Sequence, residues 1–353
     1  MSGAPQLEPL PYGPPAVEQE LGPGWVDTLH LAYRWMRLAR TLDARMQALQ
    51  RQGRVGFYGA ATGQEAVNVA AGLASVRDDW VFPGLREQLV ALVRGHPLLA
   101  YAHHLFADDA DPGRGRNMPC HPTAREVHYV SMSSVIGTQI SQAVGLAYAL
   151  RRGRAPGAVL AFFGDGATSS NDFHGGLNFA GVLGVPVVFC CTNNQWAISV
   201  PVSHQTAAPT LAGKAAEYGF GGGRVDGTDF VASYAALAGA LRRAREGAGP
   251  TLLEFVLYRM TPHSSSDDPS RYQPADWSAR AAAHDPVARL EHWMRANALL
   301  DDAAIDRVRE EVDAEIRAAI DAAEATGPPA PASLTEDVYA AEASPDRAGA
   351  ARR

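Results

Sequence analysis

Two apolar runs constrain this chain more than any other feature: AVLAFF at residues 158–163 and VPVVFCC at 185–191. Each ends directly on small polar residues, GDG at 164–166 and TNN at 192–194. Short runs without polar alternation read as strands covered on both faces, as in a parallel sheet. Between them, residues 172–183 read as a helix. Parallel strands joined by a right-handed crossover bring the residues just past their C-terminal ends to one sheet edge, where open α/β sheets bind ligands. Asp165 and Asn194 are therefore expected to face each other.

The rest of the chain extends this pattern. Residues 26–50 repeat apolar side chains at helical spacing, with Leu31, Trp35, Leu38, Leu42, Met46 and Leu49 near one stripe. A glycine-studded stretch leads into the small-residue helix AVNVAAGLA, and residues 110–122 have the Gly, Pro and Asp content of a long surface loop. SSVIGTQISQAVGLAYALRRG reads as a closely packed helix, ALAGALRRAREG as another, and TLLEFVLYRM as a third apolar run. Alternation of strand and helix predicts an α/β fold with a doubly wound, mainly parallel sheet flanked by helices. Residues 301–325 put Ile305, Val308, Val312, Ile316 and Ile320 on one helical face that needs a partner surface. The expected organisation is an extended, proline-rich arm over 1–25, one domain over 26–326 and a tail over 327–353.

Composition removes several function classes. The chain has 353 residues and a net charge of −7, and no stretch approaches the roughly 20 unbroken apolar residues of a membrane span. Lys214 is its one lysine, and the arginines are scattered among acids, which argues against a nucleic-acid footprint. Cys120, Cys190 and Cys191 lack CxxC spacing and leave an odd thiol, and no secretory signal precedes the domain; a cytoplasmic location is expected.

At the shared edge, one carboxylate, one amide oxygen and a neighbouring backbone carbonyl form an all-oxygen set suited to Mg²⁺, which fills its remaining positions with phosphate and water. Amides at the start of the helix after Gly166 would face an anion. Thr168, Ser169 and Ser170 resemble a cap for that helix. GDG alone is often a turn and NN alone a loop; placed after successive buried strands, they point to a metal-diphosphate cradle.

A pairing of GDG and NN at this separation resembles the diphosphate motif of thiamine-diphosphate enzymes. GDGATSSNDFHGGLNFAGV, NNQWAIS, RGRNMPCH, SSVIGTQISQAVGLAYA and YRMTPHSSSDDPSRYQP together resemble the alpha subunit of the decarboxylating component of 2-oxo acid dehydrogenase complexes, over about residues 26–340. The SDDP and SSVIGTQ strings are more similar to the branched-chain than to the pyruvate type.

The resemblance implies a thiamine-diphosphate-binding fold with Mg²⁺ on Asp165, Asn194 and the Trp196 carbonyl. It places Gly164 and Ser134 beside the cofactor, the Gly166 and Ala167 amides on its diphosphate, and Ile136 against its aminopyrimidine. Ser133, Val135, Thr138 and Gln139 match a monovalent-cation (K⁺) site. Arg86 matches an arginine that reaches the diphosphate, a contact suited to a planar guanidinium. His263 matches an active-site histidine that assists the reaction, and Arg259, Asp267 and Tyr272 match supports of its loop. Leu85 stands where a tyrosine is usual, Thr192 where some members have an arginine, and Gln273 where an arginine is common. Ser264 matches a serine phosphorylated in animal relatives, a regulation not assumed for this chain. His121 and His174 carry structural readings at least as well as functional ones.

The implied partners are a beta subunit carrying the pyrimidine-binding domain, in an α2β2 heterotetramer, and a lipoyl-bearing acyltransferase core; the implied substrate is a small 2-oxo acid. Alternatives are a pyruvate or acetoin enzyme of the same type, a noncatalytic scaffold that keeps the fold, and a nucleotide-binding oxidoreductase. GDGATS lacks the third glycine that the last would want.

Overall fold

The computed structural model describes residues 7–336 and 338. Its centre is a five-stranded, all-parallel sheet in the order β1-β2-β3-β7-β6, formed by β1 (Trp80–Phe82), β2 (Val159–Gly164), β3 (Val187–Asn193), β6 (Gly221–Asp226) and β7 (Thr251–Val256). The two-residue strands β4 (Trp196–Ala197) and β5 (Val200–Pro201) form a separate antiparallel hairpin just beyond the end of β3.

Alternation along the central strands feeds two apolar layers. Leu160, Phe162, Val188, Cys190, Leu253 and Phe255 point into one, and Val159, Ala161, Phe163, Phe189, Cys191 and Leu252 into the other. Adjacent Cys190 and Cys191 thus lie on opposite faces of β3. All three cysteines are buried and free, and burial pushes the Cys120 thiol up to about 12.

The layer holding Phe162 is built from α1 (Pro14–Leu21), α2 (Trp25–Arg51), α3 (Glu65–Ala74), α4 (Gln88–Val93), α5 (Leu98–Phe106), α8 (Phe230–Arg245), α10 (Pro286–Ala296) and α11 (Asp302–Thr326). The opposite layer is α6 (Thr138–Gly153) and α7 (Asn171–Leu183). Helix α9 (Trp277–Ala283) follows the loop that carries His263. Among the described residues no helix is long and apolar enough to cross a membrane.

Several expectations are corrected. The expected extended arm contains α1: prolines at its first helical positions suit a helix start, and Val17 and Leu21 are buried. The segment before it is docked, since Tyr12 donates to Asp229 and Trp293 donates to the Tyr12 carbonyl at 2.8 Å. Helix α6 begins at Thr138, because residues 133–137 form a turn closed by Gly137 at φ 90. Part of the expected tail is also docked, with Ser333 buried and the Asp109 amide on the Gly327 carbonyl; residues 339–353 lie outside the described residues. The apolar face of α11 meets α2 and α5, where Val312 and Ile316 are buried, and its rim pairs Glu315 with Arg34 and Asp313 with Arg45. Such exposed pairs contribute well under the roughly 1.5–3 kcal/mol of each buried aliphatic side chain.

Asp79 fastens the start of the sheet. Fully buried, it accepts from the amides of Val76 and Ala158, each at 2.8 Å, and pairs with Arg245 at the end of α8. Asp79→Ala leaves a guanidinium and two amides without their acceptor, so its unfolding free energy should fall by about 3 kcal/mol. Denaturant titration followed by circular dichroism measures that loss; an unchanged midpoint would remove Asp79 from this role.

Candidate active site

Parallel register sets the site. Gly164 pairs with Thr192, so Asp165 and Asn194 emerge just past that pair at the same sheet edge, as expected. Both line a cavity of about 500 Å³. The two asparagines have different tasks. Asn193 donates to Glu254 at 2.7 Å and accepts from the Gln195 amide, tying β3 to β7, while Asn194 reaches the cavity and its Oδ1 accepts from the Trp196 amide at 3.2 Å.

Asp165 is 1% exposed. Burial raises its pKa, opposed by the donated bonds of the Gln205 side chain and the Asn194 amide. A buried carboxylate contacted by neutral donors is a seat for a cation. Among the described residues no cluster of three His, Cys, Asp or Glu side chains could hold a metal, so a cation here would rest on one carboxylate and neutral oxygens, a hard set of the kind Mg²⁺ takes. The Trp196 carbonyl also accepts from Arg259 at 3.3 Å.

From Asp165 the chain makes a 3₁₀ turn, Asp165–Ser169, and α7 begins at Asn171, within one residue of the helix expected over 172–183. The free N-terminal amides at Gly166 and Ala167 therefore belong to this turn. Ser170 is the helix cap, accepting from the Phe173 amide at 3.2 Å. Gly166 permits a close approach: a Cβ there would stand 2.7 Å from the Ala197 Cβ.

Arg86 and His263 form the opposite wall. Arg86 is 5% exposed and donates to the carbonyls of Ala60 and His263 and, at 3.3 Å, toward His263 Nδ1. These acceptors hold its guanidinium in place in the cavity lining. Because a guanidinium only donates, Nδ1 of neutral His263 accepts and the proton sits on Nε2. Burial, then the positive charges of Arg86 and Arg259, lower the His263 pKa to about 4. The loop is held by Asp267, which accepts from the His263 amide at 2.7 Å and from Tyr272 Oη at 2.5 Å. Arg259 is not among the cavity-lining residues; it braces from behind, donating to Tyr272 Oη and the Ile198 carbonyl.

The remaining wall carries Ser133, Ser134, Ile136 and Gln139, while Val135 and Thr138 do not line the cavity. Of the expected monovalent-cation set, then, Ser133 and Gln139 converge on it. Gln139 Nε2 donates to the Phe162 carbonyl at 2.9 Å, and its Oε1 is buried with no partner among the described residues. His121 proves to line the cavity: its Nδ1 is 3.0 Å from the Pro119 carbonyl, so Nδ1 carries the proton and Nε2 accepts from Ser134. His174 instead meets Tyr218 Oη at 2.5 Å on an exposed surface.

Sequence reasoning missed Glu87 and Gln205. Glu87 lines the cavity beside Thr192; burial raises its pKa to about 7 despite bonds from the Arg86 and Gly84 amides and the Thr192 hydroxyl. Its adjacency to Arg86 in LREQ was the available signal. Gln205 comes from a loop with no motif.

This arrangement defines an α/β ligand-binding protein whose site opens beyond the C-terminal ends of neighbouring parallel strands. Residues 33–332 match the family model described as dehydrogenase E1 component. The chain belongs to that family, which has the thiamine-diphosphate fold. It is 37% identical over 310 residues to 2-oxoisovalerate dehydrogenase subunit alpha 2, mitochondrial, of Arabidopsis thaliana, covering 87% of this chain and 65% of the relative. Identity is 41% over 316 residues to 3-methyl-2-oxobutanoate dehydrogenase subunit alpha of Mycobacterium tuberculosis, covering 88% and 83%. It is 38% over 311 residues to the mitochondrial 2-oxoisovalerate dehydrogenase subunit alpha of Homo sapiens, covering 87% and 69%. The chain therefore spans just under two thirds of the length of the Arabidopsis protein.

A depressed His263 pKa means that the unfolded chain takes up this proton first, so its contribution to stability is present above about 6.5 and lost as pH falls toward about 4. Histidine-resolved NMR should give a midpoint near 4 for His263, and Arg86→Met should move it upward by removing a neighbouring positive charge. A wild-type midpoint near 6.5 would contradict this electrostatic picture.

Proposed function

We propose that this chain is the α subunit of a thiamine-diphosphate-dependent branched-chain 2-oxo acid dehydrogenase, which decarboxylates a small 2-oxo acid and transfers the acyl group to a lipoyl-bearing acyltransferase partner. Carrying this reading is the convergence of Asp165, Asn194 and His263 on one cavity. The names of the relatives favour a branched substrate over pyruvate or acetoin. A nucleotide-binding oxidoreductase is not supported by the family match.

In this reading Asp165 and Asn194 hold Mg²⁺, the Gly166 and Ala167 amides face the diphosphate, and Ile136 packs against the aminopyrimidine. Ser134 and Gly164 also border the cofactor. Gln139 Oε1, buried and unpaired, supports a second, monovalent cation such as K⁺ near Ser133. Thiamine diphosphate, when bound, would supply an acidic carbon able to add to the 2-oxo group and an electron sink for the pair left on the substrate carbon as CO₂ departs. His263 contributes a neutral imidazole with its proton on Nε2, able to donate a hydrogen bond to oxygen without adding positive charge. Phe57, Met118 and Phe163 give the cavity apolar walls that exclude water and suit an aliphatic substituent.

The beta subunit is supported by apolar side chains exposed around the cavity: Ile136 at 66%, Ile198 at 53% and Met118 at 52%. Phe179 and Val182 on α7 are exposed as well. These suit an α2β2 assembly in which the partner covers the mouth. The buried thiols support a cytoplasmic setting.

The test is reconstitution. The α chain alone should lack decarboxylase activity, and mixing with its β partner should restore it, with the highest kcat/KM on branched 2-oxo acids in a dye-reduction assay. Asp165→Ala in the assembled pair should lose more than about 100-fold in activity, judged against the usual effect of removing a metal ligand or its support. Full activity of either α alone or the Asp165→Ala pair would contradict the proposal.

A further inference from the structure

Gln205 reaches the site from the loop after the β4/β5 hairpin. Its Nε2 donates to Asp165 Oδ2 at 2.8 Å and to the Val200 carbonyl at 3.1 Å. A carboxylate and a carbonyl both only accept, so the two contacts fix the amide orientation: the NH₂ group must face them. Oε1 must then point elsewhere, and it is buried with no hydrogen-bond partner among the described residues. That oxygen stands 3.6 Å from the position a Cβ would take on Gly166, at the amide end of the turn that follows β2.

The Gln205 amide occupies one lone pair of Asp165 Oδ2, which favours a cation on Oδ1 and hence one-oxygen ligation. The unpaired Oε1, behind the cavity lining and beside the Gly166 turn, lacks a donor, and water bound to a divalent cation at Asp165 is a strong one. Mg²⁺ takes near-octahedral sites with single-oxygen carboxylate contacts and retains several waters, whereas Ca²⁺ accepts two-oxygen carboxylate contacts and looser geometry.

We propose that Gln205 is a positioning residue that selects Mg²⁺ over Ca²⁺ at this site, by holding Asp165 to one-oxygen ligation through Nε2 and offering Oε1 to a metal-bound water. This rests on the reading of Asp165 as a cation ligand. Groups that orient a ligand from behind typically change metal affinity about 10- to 100-fold when removed.

The experiment is calorimetric titration of thiamine diphosphate into the assembled α/β pair at graded Mg²⁺ or Ca²⁺, for wild type, Gln205→Met and Gln205→Glu, with the melting temperature of each unliganded pair alongside. Gln205→Met should raise the Mg²⁺ concentration needed for half-maximal binding by about 10-fold or more while moving the Ca²⁺ curve less, so that the preference narrows. Gln205→Glu, which keeps the shape but replaces the donor with a second carboxylate, should narrow it too. Unchanged Mg²⁺ dependence in both variants, or an equal shift for both ions with a lowered melting temperature, overturns the role of Gln205 while the site reading stands. Wild-type binding that ignores divalent ions overturns the site reading and this role with it.

Discussion

The pairing of β2 with β3 is the constraint on which the site depends. With Gly164 opposite Thr192, the chain delivers Asp165 and Asn194 to one edge, and that pairing is itself locked by alternation into two apolar layers. A one-residue slip of β3 would exchange every side chain between the layers, sending Cys190 where Cys191 packs and Val188 into the space of Phe189. Each fully buried aliphatic or aromatic side chain contributes roughly 1.5–3 kcal/mol, so even a few misfits outweigh the net stability of a typical domain. Site geometry is thus inherited from core packing, with no polar contact at the edge having to define it.

The two arginines at and behind the cavity wall are tied to protein acceptors. Arg86 faces two carbonyls and a histidine nitrogen, and Arg259 faces carbonyls and a tyrosine hydroxyl. Burial, together with these same two guanidiniums, keeps His263 neutral. The Thr192 hydroxyl donates to the Phe163 carbonyl at 3.3 Å and lies beside the Glu87 carboxylate. In the proposed reading, neutralisation of the diphosphate falls mainly on the divalent ion at Asp165, whose carboxylate Gln205 contacts from behind.

What was legible in the sequence follows from how local each signal is. The buried strands, the helices of residues 26–50, 172–183 and 301–325, and the meeting of Asp165 with Asn194 were readable because strong apolar periodicity and turn residues lie within a short window. Strands β1 and β6 were not: Trp80–Phe82 is three residues long, and GGGRVD has the composition of a loop, becoming a strand only because β7 offers a paired edge. Helix α1 was hidden by prolines that also suit an extended arm, and docking of the segment against Asp229 and Trp293 decided between them. Gln205 belongs to no spacing pattern, and Glu87 had only its adjacency to Arg86 as a signal; each acquires meaning through a residue that the tertiary fold brings beside it.

The cavity also explains why exposed apolar side chains can persist here. Ile136, Ile198 and Met118 stand at its rim, each more than half exposed, next to a buried carboxylate whose electrostatics depend on low polarity around it. Left open, this rim admits water, which weakens every charge interaction inside. Covering it with another apolar surface would bury those side chains for a gain of roughly 25 cal/mol per Å² while drying the Asp165 edge. In the proposed reading, one contact would both stabilise an assembly and strengthen the field acting at Asp165, so that cation binding and subunit association would reinforce each other.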